Sequence, residues 1–339
     1  MTVDIRRLDA ADRAAVETVL DLRNAAGAVD VPELPPLCRY EFIGGLNHKT
    51  TYQDVERYVA RDAGTAVGYL GLVLPLRDNL DNAEVDLVVH PAYRRRGVGR
   101  ALYAHAGDRM RERGRKRLLA FGVDGLAGGP VRDDSGRRFA EAMGAQAALD
   151  EVRRRLDLTT VDEAALSVML AAAWSMAAGY RLVTWQDRTP DEYAADAAYL
   201  EGRLLSDAPM GDLDWEPEKI DTARLRESEE AAAARRTRIY SAGAVHEATG
   251  RLVALTTLGG AHSTPYHCWQ WITLVDPDHR GRRLGTVVKV ENLRYARERQ
   301  PELRVIDTWN AAENRHMIAI NEAMGFRAVD SWVNWQQEV

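Results

Sequence analysis

Cysteine is scarce in this chain. Its 339 residues include two cysteines, Cys38 and Cys268, which lie far apart and outside any repeated spacing. Disulfide frameworks and zinc sites with closely spaced Cys and His pairs need more cysteines than this. We therefore expect no disulfide framework, no metal site and a reducing compartment such as the cytoplasm.

Basic residues are not in excess either. The 45 Lys and Arg residues are outnumbered by 51 Asp and Glu residues, and the formal net charge is −6. Because binding to a nucleic-acid backbone needs a basic face, we expect no nucleic-acid partner. The run Arg94–Arg96 is a local exception, and it suits a small polyphosphate better than a duplex.

Long apolar runs are also missing. The most apolar stretch, Ala164–Ala178, contains Ser167 and Ser175 and is shorter than the roughly 20 residues that a membrane span needs. The N-terminus enters a strand pattern directly, without an apolar signal region. We expect no membrane partner, and we expect Ala164–Ala178 to form a buried or inter-domain helix.

What the chain does have is a repeated segment. Val88–Arg100 and Leu274–Thr286 both read as an apolar strand, a turn with proline, an Arg-rich loop with glycine, and a helix. A loop of this kind turns backbone N–H groups toward one point at a helix N-terminus, which makes an anion site. A single copy is equally well read as a surface turn before a helix. Two copies in the same context predict a duplicated domain that binds a phosphorylated cofactor.

The order of the predicted elements also repeats. Val3–Leu8 reads as a strand and Ala10–Ala26 as a helix capped by Asp9, followed by a Pro-rich loop. Three strands, a helix, a strand, a short helix and a last strand complete the first half, and the second half repeats this order from Tyr180. The pattern predicts a mixed sheet with helices on both faces, twice over, so the fold class is α/β with an α+β mixed sheet.

The length of the chain fits two domains. We predict an N-terminal domain over residues 1–160, a connecting helix over 161–179 and a C-terminal domain over 180–339.

The two loops resemble the signature of the GNAT acetyltransferase superfamily, Arg/Gln-x-x-Gly-x-Gly/Ala after the fourth strand. Arg94–Gly99 matches it completely, whereas Arg280–Gly285 carries Arg283 where the family has Gly. The chain as a whole resembles tandem GNAT proteins, an arrangement also seen in mycothiol synthase. The resemblance implies an acetyl-CoA-dependent N-acetyltransferase made of two GNAT-like domains, each a largely antiparallel mixed sheet flanked by helices.

In that family the loop binds the pyrophosphate of acetyl-CoA through backbone N–H groups. The resemblance carries this role to Val89, Arg94, Arg95, Arg96, Gly97, Val98, Gly99 and Arg100 in the first half, and to Val275, Arg280, Gly281, Arg282, Arg283, Leu284, Gly285 and Thr286 in the second. For the arginine side chains, a solvated basic face is the alternative to phosphate contact.

A further resemblance lies near the end of the second half. Asn310–Phe326 resembles the closing family motif Asn-x-x-Ala-x-x-x-Tyr-x-x-x-Gly-Phe, with Asn314 on the Asn that approaches the cofactor. Asn321 falls where many members have a Tyr that returns a proton to the leaving thiolate, and an Asn cannot act as that acid. Asn321 is otherwise read as a polar residue on a helix surface. The first half lacks this motif.

The sequence evidence for catalytic and acceptor-binding residues is weaker than that for the loops. Glu84 lies ten residues before Arg94, where some GNAT enzymes have a general base, but it also fits the solvated face of a strand. Gln270 takes that place in the second half. Trp271 lines an acceptor pocket or packs in a core. Trp215, in an acidic loop, suits a cationic amine or is simply solvated.

Two functions fit these residues. The first is direct acetyl transfer from acetyl-CoA to the amine of a small molecule, with one half catalytic, the C-terminal half favoured, and the other degenerate. The second is a non-catalytic acyl-CoA-binding tandem GNAT protein, which the absence of the Tyr favours.

Overall fold

A computed structural model of the protein describes residues 3–339. Within that range the strands are β1 (Asp4–Arg7), β2 (Gln53–Asp62), β3 (Thr65–Pro75), β4 (Asn82–Val89), β5 (Arg117–Asp124), β6 (Gln146–Asp157), β7 (Tyr180–Gln186), β8 (Arg238–His246), β9 (Leu252–Gly260), β10 (His267–Val275), β11 (Val305–Ala311) and β12 (Arg327–Glu338). The helices are α1 (Arg13–Asp30), α2 (Arg39–Asn47), α3 (Val98–Glu112), α4 (Ser135–Ala142), α5 (Glu163–Ser175), α6 (Ala194–Gly202), α7 (Leu204–Asp207), α8 (Thr222–Ala234), α9 (Leu284–Arg299) and α10 (Arg315–Met324). Over these residues, none of the helices combines the length and the hydropathy that a bilayer span requires.

One local prediction near the N-terminus, the cap of α1, is wrong, and the helix α2 was not predicted. The cap of α1 is Asp12, whose carboxylate accepts the N–H of Ala15 at 3.0 Å, while Asp9 accepts from Ala11 ahead of the helix. The segment predicted as a Pro-rich loop ends in the helix α2. Its two glycines disfavour a helix locally, but Phe42 is buried against Tyr69 at a centroid distance of 6.3 Å. Tertiary packing therefore overrides the local propensity.

The chain forms two compact units, and neither is continuous in sequence. The first unit comprises Met1–Glu151, Met210–Glu216 and Asp330–Val339, and the second comprises Val152–Pro209 and Pro217–Val329. The first unit thus includes two segments from the C-terminal half of the chain. The division at residues 160 and 180 stays a prediction about the duplicated domains.

The sheet of the first unit runs in the order β1-β2-β3-β4-β5-β12, followed by the first residues of β6. All registered pairs from β1 to β4, and β5 with β12, are antiparallel. Leu102 and Met110 of α3 are fully buried in one cluster with β3 and β4, while Val19 of α1 and Phe42 of α2 pack in another. Helices therefore cover both faces.

The parallel pair β4 with β5 of this unit is short. It extends from Asn82↔Arg117 to Glu84↔Leu119, after which β4 continues to Val89 and β5 to Asp124 without mutual pairing. A V-shaped gap opens between the two strands, and the loop that follows β4 lies at its wide end.

The second unit repeats this arrangement in the order β6-β11-β10-β9-β8-β7, with β6 contributing its last residues. The parallel pair β10 with β11 extends from His267↔Val305 to Trp269↔Asp307 and then diverges. Unlike β4, β10 carries a β-bulge, between Gln270 and Ile272. In each unit the strands are mixed and largely antiparallel and are flanked by helices, which confirms the predicted fold class.

The helix predicted as a connection is α5, and it packs within the second unit. Leu166 and Leu170 of α5 are buried in one cluster with Val290 and Leu293 of α9. The opposite side of α9 rests on β8, β9 and β10. As a result α9 is covered on two sides, which explains why its first seven residues are all buried.

We predict that residues 1–160 do not form a stable protein alone. That fragment lacks β12, which pairs with β5 from Ser331↔Asp124 to Glu338↔Arg117, and an unpaired central edge promotes aggregation. Fusing residues 330–339 to the fragment should restore a cooperative thermal transition in circular dichroism. A cooperative transition of similar midpoint in the unfused fragment would show that β12 is dispensable.

Candidate functional site

The two repeated loops have the same course. After β4 and after β10 the chain makes a single 3₁₀ turn, Pro91–Tyr93 in one unit and Pro277–His279 in the other. The residue before each turn caps it with its side chain. His90 Nδ1 accepts the N–H of Ala92, and Asp276 accepts the N–H of Asp278. Different residue types thus produce one backbone path.

Both loops need two left-handed residues, two positions apart. In the first loop these are Arg95 (φ +63°) and Gly97 (φ +90°), and in the second Gly281 (φ +79°) and Arg283 (φ +55°). The glycine has therefore exchanged places with an arginine. Glycine adopts this conformation without strain, while arginine does not. The second loop keeps its turn in spite of Arg283, at the expense of a strained backbone.

The helices that follow begin without a side-chain cap. Gly97 and Arg283 are the N-cap residues of α3 and α9, and neither helix has a side-chain hydrogen bond at its start. The helices α2, α4, α6 and α7 also lack one, whereas α1, α5, α8 and α10 are each capped by an Asp or Asn side chain. The first N–H groups of a helix have no intrahelical acceptor. In α3 and α9 they are therefore available to an external anion.

The first arginine of each loop is a brace. The guanidinium of Arg94 donates to both carboxylate oxygens of Asp30 in α1, at 2.8 and 2.7 Å, and that of Arg280 lies 2.9 Å from Asp207 in α7. Each Nε also donates to the last carbonyl of the preceding strand, at 3.3 Å. The hydrogen bond to Asp30 raises the pKa of Arg94. These two arginines hold the loop against a helix.

The other arginines of the loops are exposed. They are Arg95, Arg96 and Arg100 in the first unit and Arg282 and Arg283 in the second. Arg96 lies over the ring of Tyr93 at 5.3 Å and Arg282 over that of Tyr180 at 5.9 Å. These side chains place positive charge at the N-terminal ends of α3 and α9.

The remaining loop residues lie inside the helices. Val98, Leu284 and Thr286 are buried. A methyl group on Gly99 would lie 3.1 Å from the ring of Phe139, whereas one on Gly285 would lie 3.7 Å from Ile320. A close approach of α4 therefore requires glycine in the first unit, while the second has room for a small side chain.

Gln270 and Trp271 lie at the bulge, on opposite faces of the sheet. Gln270 Nε2 donates to the carbonyls of Thr257 and Ile272, at 2.8 and 2.9 Å, and its Oε1 accepts from Nζ of Lys289 in α9 at 3.0 Å. Gln270 is thus tied to the α9 side. Trp271 is 46% exposed, and its indole lies across Gly259 of β9.

Lys289 did not stand out in the sequence. It is 2% exposed, and burial lowers its pKa to about 7. The ring of Phe326 lies 5.6 Å from Nζ. A lysine on the buried side of a helix is unremarkable in sequence, because its stem is long enough to reach water from most positions.

The two asparagines of the closing motif have different roles. Asn314 is the N-cap of α10, and its Oδ1 accepts the N–H of Met317 at 3.2 Å. Asn321 is fully buried, so it is not a helix-surface residue. Its Nδ2 donates to Oδ1 of Asn310 in β11 at 2.8 Å, while its own Oδ1 has no hydrogen-bond partner among the residues that the structure describes.

Glu84 is exposed and occupies the last paired position before β4 and β5 diverge. Asp86, two residues further, forms an ion pair with Arg23 of α1. The guanidinium of Arg23 in turn lies 4.7 Å from the ring centroid of Tyr69. The charge of Asp86 is therefore neutralised.

Trp215 lies in the first unit, with the rest of Met210–Glu216. Asp214 forms an ion pair with Arg117, and the N–H of Glu216 donates to Asn79 Oδ1 at 2.7 Å. Gln270 and Trp271 lie in the second unit. The structure therefore places the predicted acceptor-binding residues in two different units.

A buried ionic cluster lies where β10 and β11 diverge. Asp307, in the last parallel pair, accepts from His267 Nε2 at 2.8 Å, from Arg155 at 2.7 and 2.9 Å and from Arg153 at 3.1 Å. Burial opposes ionisation of this carboxyl, but the hydrogen bonds of His267 and Arg155 keep its pKa below the ordinary value. Its members come from three strands that are far apart in the sequence, so no local sequence pattern predicts the cluster.

Comparison with known proteins gives a consistent result. A model of the acetyltransferase (GNAT) family matches residues 18–126. A tandem GNAT protein from the clavulanic acid biosynthesis pathway, in a structure without AcCoA, is 37% identical, with 99% of this chain and 98% of that chain covered and a TM-score of 0.86. A GCN5-related N-acetyltransferase from Sphaerobacter thermophilus is 16% identical, with 99% and 95% covered and a TM-score of 0.68, and shares the fold. A search of curated proteins finds no match.

The strained turn gives a stability prediction. Replacing Arg283 with Gly removes the left-handed arginine, so we expect a gain on the order of 1 kcal/mol in the free energy of unfolding. The matched control is Arg282→Gly, which removes the same charge where φ is not positive and should bring no gain. Denaturant unfolding of both variants measures the difference. A loss of stability in Arg283→Gly equal to that of the control would show that the arginine is not strained.

The buried lysine gives a pH prediction. Its pKa is about 7 in the folded protein and 10.5 ordinarily. Between these values only the unfolded chain binds the proton, so stability rises with pH through this window. We expect the wild type to gain on the order of a few kcal/mol relative to Lys289→Met between about pH 6.5 and pH 10. The exposed Lys49, changed to Met, is the control and should show no such trend. A pH-independent difference for Lys289→Met would contradict the burial.

Proposed function

Because the chain belongs to the acetyltransferase (GNAT) family, as a tandem-domain member that uses acetyl-CoA, we propose that it transfers the acetyl group directly to the amine of a small molecule. The observation that carries this proposal is the pair of uncapped helix N-termini, each at the wide end of a gap between diverging parallel strands. Such a helix end receives a pyrophosphate, and the gap receives the extended arm that leads to the thioester.

For the cofactor, we assign the pyrophosphate contacts to the first N–H groups of α3 and α9. The exposed arginines Arg95, Arg96 and Arg100, and Arg282 and Arg283, supply positive charge at the same ends. Arg94 and Arg280 contribute by holding the loops in place. The net charge of −6 is consistent with a small anionic ligand bound locally and with no nucleic-acid partner.

Acetyl transfer to an amine makes three demands. The amine attacks as the free base, the carbonyl oxygen is stabilised as it gains charge, and the thiolate is accommodated as it leaves. In the second unit the bulge takes Trp271 out of register with β9. We assign the stabilising N–H group to this stretch of β10, beside the branch point of the two strands.

We favour the second unit as the catalytic one. It has the bulge, the N-cap Asn314 and the buried Asn321 beside the gap. The exposed Trp271, across Gly259 on the face away from α9, offers an apolar wall for an acceptor. In this allocation Glu84 and the first loop belong to a degenerate site that retains the binding of CoA.

The first unit is the second candidate for catalysis. The family model matches residues 18–126, which lie in the first unit, and the loop Arg94–Gly99 is the complete copy of the signature. Glu84 stands at its branch point as a potential base. A protein that binds acetyl-CoA without chemistry is the remaining alternative, favoured by Asn321 in place of an acid.

We further propose a cytoplasmic location. Cys38 and Cys268 are both buried free thiols, which suits a reducing compartment.

The allocation is tested with Asn314→Ala and Glu84→Gln, by release of CoA thiol from acetyl-CoA with a panel of small amines. We expect Asn314→Ala to lower the rate at least tenfold and Glu84→Gln to leave it unchanged. The control is Asn314→Asp, which retains a helix cap and so separates loss of the cap from loss of the amide.

Other results have distinct meanings. Loss of activity with Glu84→Gln alone would move catalysis to the first unit. Thiol release by none of the proteins, with acetyl-CoA binding intact in calorimetry, would favour the non-catalytic alternative. Unchanged CoA affinity in a Gly97→Val, Gly281→Val double variant would overturn the cofactor assignment, because valine does not adopt the left-handed conformation that each loop has at these positions and so distorts the anion site.

A further inference from the structure

Lys289 is a buried cation without a counter-ion. An ammonium group offers three hydrogen bonds, and within residues 3–339 the structure shows one, to Gln270 Oε1 at 3.0 Å. No carboxylate in the described part of the chain forms an ion pair with it. Burying an ammonium group with a single neutral partner is energetically unfavourable. Such a group therefore calls for a functional explanation.

Through its partner Gln270, Lys289 lies near the gap between β10 and β11. Gln270, its partner, is one residue beyond the last parallel pair, and the carbonyl of Gln270 accepts from Thr308 Oγ1 across the branch point at 3.4 Å. Asn321 reaches the same part of β11 from α10, through Asn310. Lys289 and the unpartnered Oδ1 of Asn321 thus approach the narrow end of the gap from the helix side.

Several other ionisable groups on the elements packed around α9 have partners of their own, whereas Nε and Nη1 of Arg154 have no hydrogen-bond partner among the described residues. On β7 and β8, Tyr180 bonds His279, His246 bonds Thr249 and Tyr240 bonds Gln300. On β10, Cys268 bonds Gln300. On α5 and within α9, Glu163 pairs with Arg297, and Glu291 accepts from Trp174. On β6 and α10, Arg154 pairs with Glu322. Burial lowers the pKa of Lys289, and no neighbouring acid offsets this effect.

We propose that Lys289 is the acid that protonates the sulfur of CoA as the thiolate leaves, taking the place of the tyrosine that the closing motif lacks. The inference rests on the proposed function, with acetyl-CoA bound in the second unit. It names a residue on α9 for a role that Asn321, on α10, cannot perform.

The step balances as follows. The acceptor nitrogen forms a bond to the acetyl carbon, the carbon–sulfur bond breaks, and its electron pair stays on sulfur. The ammonium of Lys289 gives one proton to that sulfur and becomes a neutral amine. The proton lost by the acceptor nitrogen passes to water, and Lys289 recovers a proton before the next turnover. A pKa of about 7 suits a group that both gives and regains a proton near neutral pH.

The same position in the first unit also carries a proton donor. Tyr103 stands four residues after Gly99, as Lys289 stands four residues after Gly285. The Tyr103 hydroxyl donates to Gln337 of β12. In both units, one turn into the helix after the loop, an ionisable side chain points toward the sheet, but only in the second is it a cation.

The test uses CoA itself and needs no acceptor. The Gly97→Val protein, in which the first loop is disabled, is saturated with CoA, and the thiolate is followed by its ultraviolet absorbance as pH is raised. With Lys289 present, the thiolate and the ammonium stabilise each other's charged forms, so the two groups titrate as a coupled pair. We therefore expect the bound thiol to ionise at least one pH unit below free CoA, which is about a tenfold larger thiolate to thiol ratio. Lys289→Met should abolish this shift. Arg294→Met is the matched control, because Arg294 is a cation of α9 that bonds Ser167, and it should retain the shift.

A second measurement covers turnover. With acetyl-CoA and an accepted amine, Lys289→Met should lower kcat about 100-fold with little change in KM for acetyl-CoA. The assignment is overturned if bound CoA titrates like free CoA, if the shift persists in Lys289→Met, or if mass spectrometry finds Lys289 itself acetylated by acetyl-CoA. Failure of the Gly97→Val protein to bind CoA would overturn the proposed function as well, whereas binding with an unshifted thiol would overturn this inference alone.

Discussion

The early divergence of two parallel strands is the constraint on which each unit depends. β4 and β5 share three residue pairs, as do β10 and β11, and then separate. Backbone groups beyond the branch point lose their sheet partners, which is unfavourable unless a ligand or a side chain replaces them. The helix after the loop and the helix after the second strand flank the opening. In the proposed function, this gap is where the cofactor enters each unit.

The loops show how one backbone path is kept with different residues. Both require left-handed residues at two positions, and each supplies glycine at only one of them. The strain at the other is held by the brace, in which a guanidinium joins the loop to a helix and to the preceding strand. A sequence motif that demands glycine at one position does not recognise such a loop. The loop requires a left-handed conformation at that position and not a particular residue type.

Burial of polar groups distinguishes the second unit. Lys289, Asn321 and Asp307 are almost wholly inaccessible, yet they surround the branch point of β10 and β11. In the first unit Leu119 and Tyr103 occupy the places of Asp307 and Lys289. Buried ionisable groups are destabilising unless paired. Asp307 is compensated by three neighbours, while Lys289 has one neutral partner, so the two sites of this duplicated chain are chemically unequal.

The sequence by itself determined what depends on local order: the repeated strand–loop–helix segments, the α/β class and the tandem family resemblance. It could not determine groupings that depend on residues far apart in the chain. Asn321 reads as a surface residue until α10 is packed on β11, and Asp307 acquires its partners only when β6 and β10 flank β11. The placement of Trp215 in the first unit, and of β12 beside β5, follows from strand pairing. Only the tertiary structure could decide these, because burial and pairing are properties of neighbours in space.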